Sequence, residues 1–371
     1  MNLAPQQETA VKKVSAWIGD RYSIDPFKLF GVAGTGKTTL ARLMAESASG
    51  KVLYAAYTGK AALQLRRKGC ADASTIHSLI YKPEVDDATG EATFVLNPDS
   101  DLASASLLIV DEVSMVDEAT AKDLLSFKKK ILVLGDPAQL PPVKGEGFFI
   151  NGTPDVMLTE VHRQARDNPI IRLSMDIREG RSLTPGQYGE SLVIQRQHAD
   201  QDHLRDLVVN ADQLLCGLNR TRVSYNRRVR EIKGLGGGRD TWHPTFGDRL
   251  ICLRNNKEKM LFNGGLWRVE RARNMGRYLE MVVTSEDYDR SPVCIRVPEQ
   301  FFNGTEQSLD WRRRRENDEF TFGWAITCHK SQGSQWDDVV VFDESRAFRD
   351  DASKWLYTAV TRAAEKVTVV V

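Results

Sequence analysis

Residues 27–48 read FKLFGVAGTGKTTLARLMAESA: a short apolar run, a glycine-rich loop, then an amphipathic pattern. The run from Phe27 to Phe30 fits a buried strand, and Leu40, Leu43 and Met44 recur at helical spacing after Thr38. Between them Gly31, Gly36, Lys37 and Thr38 satisfy G-x4-GK[ST] on the strand, loop and helix that this pattern requires. Loop N–H groups around Gly34, Thr35 and Gly36 can cradle phosphates, with Thr39 completing the helix's first turn. The Lys37 ammonium can neutralise β and γ oxygens, and the Thr38 hydroxyl can hold Mg²⁺. The stretch therefore predicts an α/β fold with a site for ATP and Mg²⁺.

Working outward, VLYAA at 52, LLIV at 107 and ILVLG at 131 are further short aliphatic runs alternating with helical patterns, as in a parallel sheet wrapped by helices. LLIVDEVSM ends its strand on Asp111 and Glu112, carboxylates suited to Mg²⁺ contact and to activating water. VLGDPAQLPP, residues 133–142, places Gln139 beyond another strand, within reach of a γ-phosphate or its attacking water. Phosphoryl transfer also needs positive charge on the transition state. Arg163 in LTEVHRQ and Arg362 in YTAVTRA lie outside the first α/β unit and can supply it. If both come from a second domain, ATP binds in a cleft whose closing and opening drive a motor.

The length of 371 residues favours two or three domains, and 51 Lys plus Arg against 50 Asp plus Glu leave a net charge of +1. Any nucleic-acid site must then be a local path rather than a bulk basic surface. The five cysteines, at 70, 216, 252, 294 and 328, fit neither a metal knuckle nor a disulfide framework and read as reduced thiols. Nothing resembles a signal sequence or a membrane span, so a cytoplasmic protein without membrane contact is expected.

Residues 82–102 carry an Asp-Ala-Thr-Gly turn between two extended pieces and read as a hairpin projecting from the first sheet. A second α/β unit begins near residue 166 and breaks at GLGGG, 234–238. Short strand-like stretches (RLICL, LWRVERA, LEMVV, VCIRV) then suggest a small β-barrel or sandwich before helix and strand alternation returns. The expected partition is 1–81 with 103–165, an inserted hairpin at 82–102, 166–236 with 321–371, and an inserted β domain at 237–320.

In order along the chain, GVAGTGKTT, AYTGKAA, STIHSLI, DEVSM, GDPAQLPP, HRQ, TCHKSQGSQWD and TAVTRA resemble the motifs of superfamily 1 helicases. Their form is most similar to the 1B group of RecD, TraA and phage Dda helicases, and the P-loop beginning at Gly31 suits a compact, Dda-type arrangement. The resemblance covers nearly the whole chain. It implies two RecA-like P-loop NTPase domains, the hairpin acting as a pin and the β insertion as an SH3-like barrel. It also implies ATP-driven 5′-to-3′ movement on single-stranded DNA and unwinding at single-strand/duplex junctions. Carried over residue by residue, Lys37, Asp111, Glu112, Gln139, Arg163 and Arg362 take the catalytic roles already argued, and Gln7, with Gln6 as an alternative register, recognises adenine. Thr58, Lys60, Thr75, His77, Thr327, His329, Lys330 and Ser331 would line the strand, and Phe94 is open between an aromatic DNA contact at the hairpin's tip and packing of the hairpin onto the domain. Trp324 and Trp336 are open between core packing and base stacking. Gln335 stands where relatives often have Glu, keeping an acceptor for the ribose while losing the charge.

An ATP-dependent DNA helicase is thus expected, with a strand translocase, a subunit of a recombination or repair complex, and an RNA helicase as alternatives. The chain is expected to act as a monomer, with a single-strand-binding protein or replisome and recombination factors as partners. No nuclease constellation is apparent, and no intrinsic nuclease is expected.

Overall fold

The computed structural model describes residues 3–85, 92–142, 145–160, 167–236, 242–256 and 258–371. The chain divides into two units, Met1–Arg178 and Glu179–Val371. In the first, the strands in chain order are β1 (Phe27–Gly31), β2 (Val52–Ala56), β3 (Ser74–Thr75), β4 (Tyr81–Val85), β5 (Ala92–Leu96), β6 (Leu107–Asp111), β7 (Lys130–Gly135) and β8 (Val156–Leu158). Six of them form one sheet in the order β3-β2-β6-β7-β1-β8. Every pairing in it is parallel.

The middle of this sheet is apolar without interruption because both of its faces are covered. Leu108 and Val110 of β6 join Phe30, Ile76, Val133 and Phe149 on one side. Leu107 and Ile109 join Ala10, Leu40, Met44 and Leu132 on the other, beneath the helices Pro5–Gly19 and Lys37–Ala45. The register sets Ala56 beside Asp111 and Phe30 beside Gly135, so the polar residues that end these strands gather at one carboxyl edge. Helix Pro169–Arg178 stays with this unit, since its Ile171 packs on Val32.

Strands β4 and β5 form a separate two-stranded antiparallel sheet, with Tyr81 opposite Leu96 and Pro83 opposite Phe94. Its strands end at Leu96, and the rest of 82–102 includes a helical turn, Asp101–Ser104, whose Leu102 is buried. The Asp-Ala-Thr-Gly turn lies outside the described residues.

The second unit holds β9 (Gly186–Tyr188), β10 (Ser191–Ile194), β11 (Gln213–Cys216), β12 (Arg249–Cys252), β13 (Leu266–Asn274), β14 (Leu279–Ser285), β15 (Val293–Val297), β16 (Phe320–Phe322), β17 (Ala325–Thr327), β18 (Trp336–Phe342) and β19 (Ala363–Val370). One sheet runs β17-β11-β18-β19-β10-β9 and is parallel except at the β10/β9 edge. The other, β15-β14-β13-β12-β16, is antiparallel throughout. It closes over its own core of Trp267, Met281, Ile295 and Phe320. Alternation along β14, where Leu279, Met281 and Val283 are buried and the residues between them are not, is that of a sheet with one wet face.

All five cysteines are free thiols. Burial pushes Cys216, Cys252 and Cys328 up to about 12, which keeps them protonated and unreactive. No helix among the described residues is long and apolar enough to cross a membrane.

Candidate functional site

The loop between β1 and the helix Lys37–Ala45 holds its shape through backbone that only glycine adopts readily: Gly34 and Gly36 have φ of 78° and 75°. Gly31 is required for a different reason, close approach. A Cβ there would lie 2.7 Å from Thr35 Oγ1 and 2.9 Å from Leu158 Cβ. The Thr35 hydroxyl donates to Val32 O (2.9 Å), and the buried Gln7 carboxamide donates to Thr35 O (3.0 Å) while accepting from Ala4 N–H (3.0 Å). Lys37 Nζ donates to Gly31 O (2.6 Å) and Val32 O (3.1 Å), lying back along the loop it would leave for phosphate oxygens. Gly31→Ala is expected to distort this loop by about 1–3 kcal/mol and to weaken nucleotide binding roughly tenfold. Titration with a fluorescent nucleotide measures it, and an unchanged Kd would show that Thr35 and Leu158 give way instead.

At the same sheet edge the Thr38 hydroxyl donates to Asp111 Oδ2 (2.8 Å), and Asp111 Oδ1 accepts the Glu112 N–H (2.8 Å). A hydroxyl beside a carboxylate, both on rigid elements, is the hard-oxygen pair that suits Mg²⁺, whose other ligands are normally water and nucleotide phosphates. Among the described residues no group of three or more His, Cys, Asp or Glu is arranged to hold a metal by itself. Glu112 sits in the left-handed region at φ 55°, which costs a non-glycine residue about 1–2 kcal/mol. Strain of this kind collects where a side chain must be aimed. Asp136 accepts the Ala138 N–H (3.0 Å), shaping the turn that presents Gln139, whose Oε1 accepts from the Ser114 hydroxyl of DEVSM (3.4 Å). Gln139 is therefore tied to the segment that follows the acid pair.

Gln6 bonds elsewhere. Its carboxamide accepts from the N–H groups of Thr159 (2.9 Å) and Glu160 (3.0 Å) and donates to Thr159 Oγ1 (3.0 Å). Both glutamines thus brace backbone, Gln7 the phosphate loop and Gln6 the end of β8. Arg163 lies outside the described residues. Thr39 is exposed on the first helical turn.

Several residues expected along the strand cap helices at this edge. The Thr58 hydroxyl accepts from Ala61 N–H (3.1 Å) at the start of Gly59–Arg67, which contains the buried Lys60. Thr75 accepts from Ser78 N–H (3.1 Å) at the start of Ile76–Ile80. The His77 ring lies 4.8 Å from that of Tyr81 and 4.5 Å, edge-on, from that of Phe94. Phe94, still 59% exposed, is therefore at mid-strand against His77. Tyr81 donates its hydroxyl to Asp123, and burial with that bond raises the phenol to about 12.

In the second unit the buried Thr327 begins the helical turn Cys328–Ser331, and the buried Ser331 hydroxyl donates to Cys328 O (2.7 Å). The His329 ring lies 5.8 Å from Phe348, which stacks on Trp355 at 5.6 Å. Burial pushes the His329 imidazole below its usual range, Asp351 opposing in part, so it is neutral at pH 7. Lys330 reaches solvent although protein crowds it on most sides, and burial with the neighbouring Arg222 lowers its pKa; its exposure is the better guide to its charge, which is positive. Arg362 is buried, donating to Thr358 O (3.2 Å), Ser334 O (3.3 Å) and Thr361 Oγ1 (3.5 Å). Gln335 is exposed and Trp336 half-buried. Trp324 lies between Lys233 (4.8 Å) and Arg268 (5.1 Å). Of the four arginines at 312–315, Arg314 pairs with Glu319 (3.0 Å).

The AAA domain family matches residues 2–198, more than half of the chain, and the UvrD-like helicase C-terminal domain matches 322–370. The ATP-dependent RecD2 DNA helicase of Deinococcus radiodurans is 28% identical over 361 residues, covering 91% of this chain and 46% of that protein. The ATP-dependent DNA helicase dda of Enterobacteria phage T4 is 36% identical over 228 residues, covering 55% of this chain and 50% of its own. This chain belongs to the RecD- and Dda-like helicases of superfamily 1B. It spans about half the length of these two relatives. The crystal structure of Bacteroides Pif1 bound to ssDNA shares the fold, with a TM-score of 0.58 at 19% identity, covering 99% of this chain and 92% of the other. Membership of this superfamily 1B group implies nucleotide use, which the loop at Gly31–Thr38 suits.

Some residues that fix the segments around these motifs carry no motif themselves. Glu344 accepts from Gly217 N–H (2.7 Å), Leu218 N–H (3.0 Å) and the Thr221 hydroxyl (2.6 Å), fixing the loop beyond β11. Asp123, which holds Tyr81, lies on an ordinary amphipathic helix. The one signal for Glu344 is its place in an acid pair, Asp343 and Glu344, directly after the strand DVVVF, a pattern shared with many solvated turns.

Proposed function

We propose that the chain is an ATP-dependent DNA helicase that moves 5′-to-3′ along a single strand and separates duplex at single-strand/duplex junctions. The observation that carries this reading is the linkage of Thr38, Asp111 and Glu112 at the carboxyl edge of a P-loop sheet, with Gln139 held by Ser114 of the same DEVSM segment. The superfamily 1B relatives, named as ATP-dependent DNA helicases, support it, and the polarity follows from the resemblance of the motifs.

In this mechanism Lys37 exchanges its bonds to Gly31 O and Val32 O for β and γ oxygens. Glu112 takes the proton of the attacking water, and Gln139 orients that water. Mg²⁺, when bound through Thr38 and Asp111, neutralises charge on the phosphates. Arg163 and Arg362 are the cations assigned to the transition state. Gln335, being exposed, is assigned to the nucleotide's ribose, and Gln7 to bracing the loop near the base. Thr58, Lys60, Thr75 and His77 on the first unit, and Thr327, His329, Lys330 and Ser331 on the second, are assigned to the strand.

The two parallel sheets are read as RecA-like domains, β4 and β5 as the pin, and β12 to β16 as the SH3-like insertion. The contact of Phe94 with His77 supports a pin coupled to the strand path rather than one with an aromatic tip. A monomer working with single-strand-binding or recombination factors fits this reading.

Strand displacement on 5′-tailed and 3′-tailed duplexes with ATP tests it. Unwinding confined to the 5′-tailed substrate is expected, with hairpin deletion abolishing unwinding but not DNA-stimulated ATP hydrolysis. Unwinding only from a 3′ tail refutes the polarity. Stimulated hydrolysis without unwinding refutes the helicase in favour of a translocase or partner-dependent subunit, and stimulation by RNA alone refutes the DNA substrate.

A further inference from the structure

Strands β11 and β17 are parallel neighbours, with Cys216 opposite Thr327. Helix Asn219–Ile232 leaves the carboxyl end of the first, and the turn Cys328–Ser331 leaves that of the second. Arg222, in the first turn of that helix, and Lys330 are thereby brought to one sheet edge, the side on which open α/β sheets bind ligands.

The helix carries several arginines, and their partners differ. Arg227 and Arg228 lie against Glu231 (3.7 and 3.2 Å), and Arg230 against Asp248 (2.8 Å). Arg222 has a neutral acceptor, Asn219 Oδ1 at 3.3 Å. Among the described residues no carboxylate lies within 4 Å of the charged atoms of Arg222 or Lys330. Glu344, the acid at the helix's entry, is occupied by Gly217, Leu218 and Thr221. Glu306 acts on both cations from beyond that range. The Arg222 charge disfavours that of Lys330, an effect that an anion bound between them would relieve. Arg222 also lines a small cleft with Trp242 and Phe302, between the helix and the antiparallel sheet.

We propose that Arg222 and Lys330 form a clamp for one backbone phosphate of the bound single strand, the Arg222 fork meeting the oxygens in its plane and Lys330 acting as a point charge. The proposal rests on the DNA-motor reading and adds to it Arg222, which lies in none of the eight motifs quoted above. A planar guanidinium beside an ammonium suits a tetrahedral phosphodiester and reads no base, as a sequence-independent motor requires.

The test is fluorescence anisotropy of a dT oligonucleotide with the full chain across a salt series, comparing wild type, Arg222→Gln, Arg222→Lys, Lys330→Gln and the double Gln variant, with thermal melting as the folding control. Arg222→Gln is expected to weaken binding roughly fivefold and to reduce the slope of log affinity against log salt by about 0.7, the value for one lost phosphate on a single strand. Arg222→Lys should restore most of the slope, and the double variant should lose less than the sum of the singles because the two cations share one phosphate. A wild-type slope and affinity in Arg222→Gln overturns the clamp. Full additivity in the double variant does so too, since it would assign the cations to separate phosphates. If Arg222→Gln melts early, the Arg222→Lys and Lys330→Gln arms decide by the same slope. Failure of the wild-type chain itself to bind dT at low salt overturns the motor reading first, a result distinct from a failure confined to the variants.

Discussion

Glu112→Gln should bind ATP about as well as wild type and hydrolyse it about 10²–10⁴ times more slowly in the presence of single-stranded DNA, the span expected for loss of a general base. The two adjacent acids are not equivalent. Asp111 has each oxygen committed, Oδ2 to the Thr38 hydroxyl and Oδ1 to the Glu112 N–H, and so acts as the anchored member. Its replacement should weaken nucleotide binding together with turnover. Glu112 sits one residue further, in a left-handed conformation at φ 55° that no side chain adopts without cost. Glutamine keeps the shape and the backbone cost while removing the basic oxygen, so the loss should appear in kcat and not in the Kd for nucleotide. Single-turnover hydrolysis with a parallel fluorescent-nucleotide titration separates the two. Turnover within tenfold of wild type would transfer the base to another residue and leave Glu112 a structural role.

The phosphate loop was legible because it is local: strand, glycines, lysine and helix lie within one continuous stretch, and the spacing alone brings them together. Asp111 was legible for a related reason, since a buried aliphatic run in a parallel sheet has to end at the same edge as β1. What could not be read were side chains whose surroundings are set by long-range pairing. Phe94 was open between a hairpin tip and packing, and the register with Pro83 places it at mid-strand against His77. Gln7 matched an adenine-reading motif, and the fold turns its carboxamide onto Thr35 O. Trp324 was open between core and base stacking, and two cations from separate elements now flank it. Buried charged residues are the least legible, because Arg and Asp in polar stretches have the pattern of solvated surface. NRTRVSYNRRVREI looks exposed throughout, and Arg230 within it is 2% exposed.

That arginine supports the second large prediction, which concerns stability rather than turnover. Asp248→Ala should lower the unfolding free energy of the second unit by about 3–5 kcal/mol, the usual cost of stranding one partner of a buried ion pair. The Arg230 and Asp248 side chains are 3% and 0% exposed, and they meet in two parallel bonds, Nε to Oδ1 at 2.8 Å and Nη2 to Oδ2 at 3.0 Å. Asp248 also accepts from Thr245 N–H (2.8 Å) and Trp324 Nε1 (3.4 Å), while the guanidinium lies 4.1 Å from the centre of the Phe322 ring. One carboxylate thus ties helix Asn219–Ile232 to the first strand of the antiparallel sheet, so the loss should be felt in both sheets of this unit. The pair itself need not be net stabilising. Removing both charges with Arg230→Met and Asp248→Leu should recover most of the loss, because apolar side chains of similar volume spare the desolvation of two ions. Urea unfolding followed by tryptophan fluorescence suits the measurement, since Trp17 is the one tryptophan in Met1–Arg178 and the other six report the second unit. A single variant within about 1 kcal/mol of wild type would mean that water reaches Arg230 once Asp248 is gone. The junction between the two sheets would then be looser than its hydrogen bonds imply.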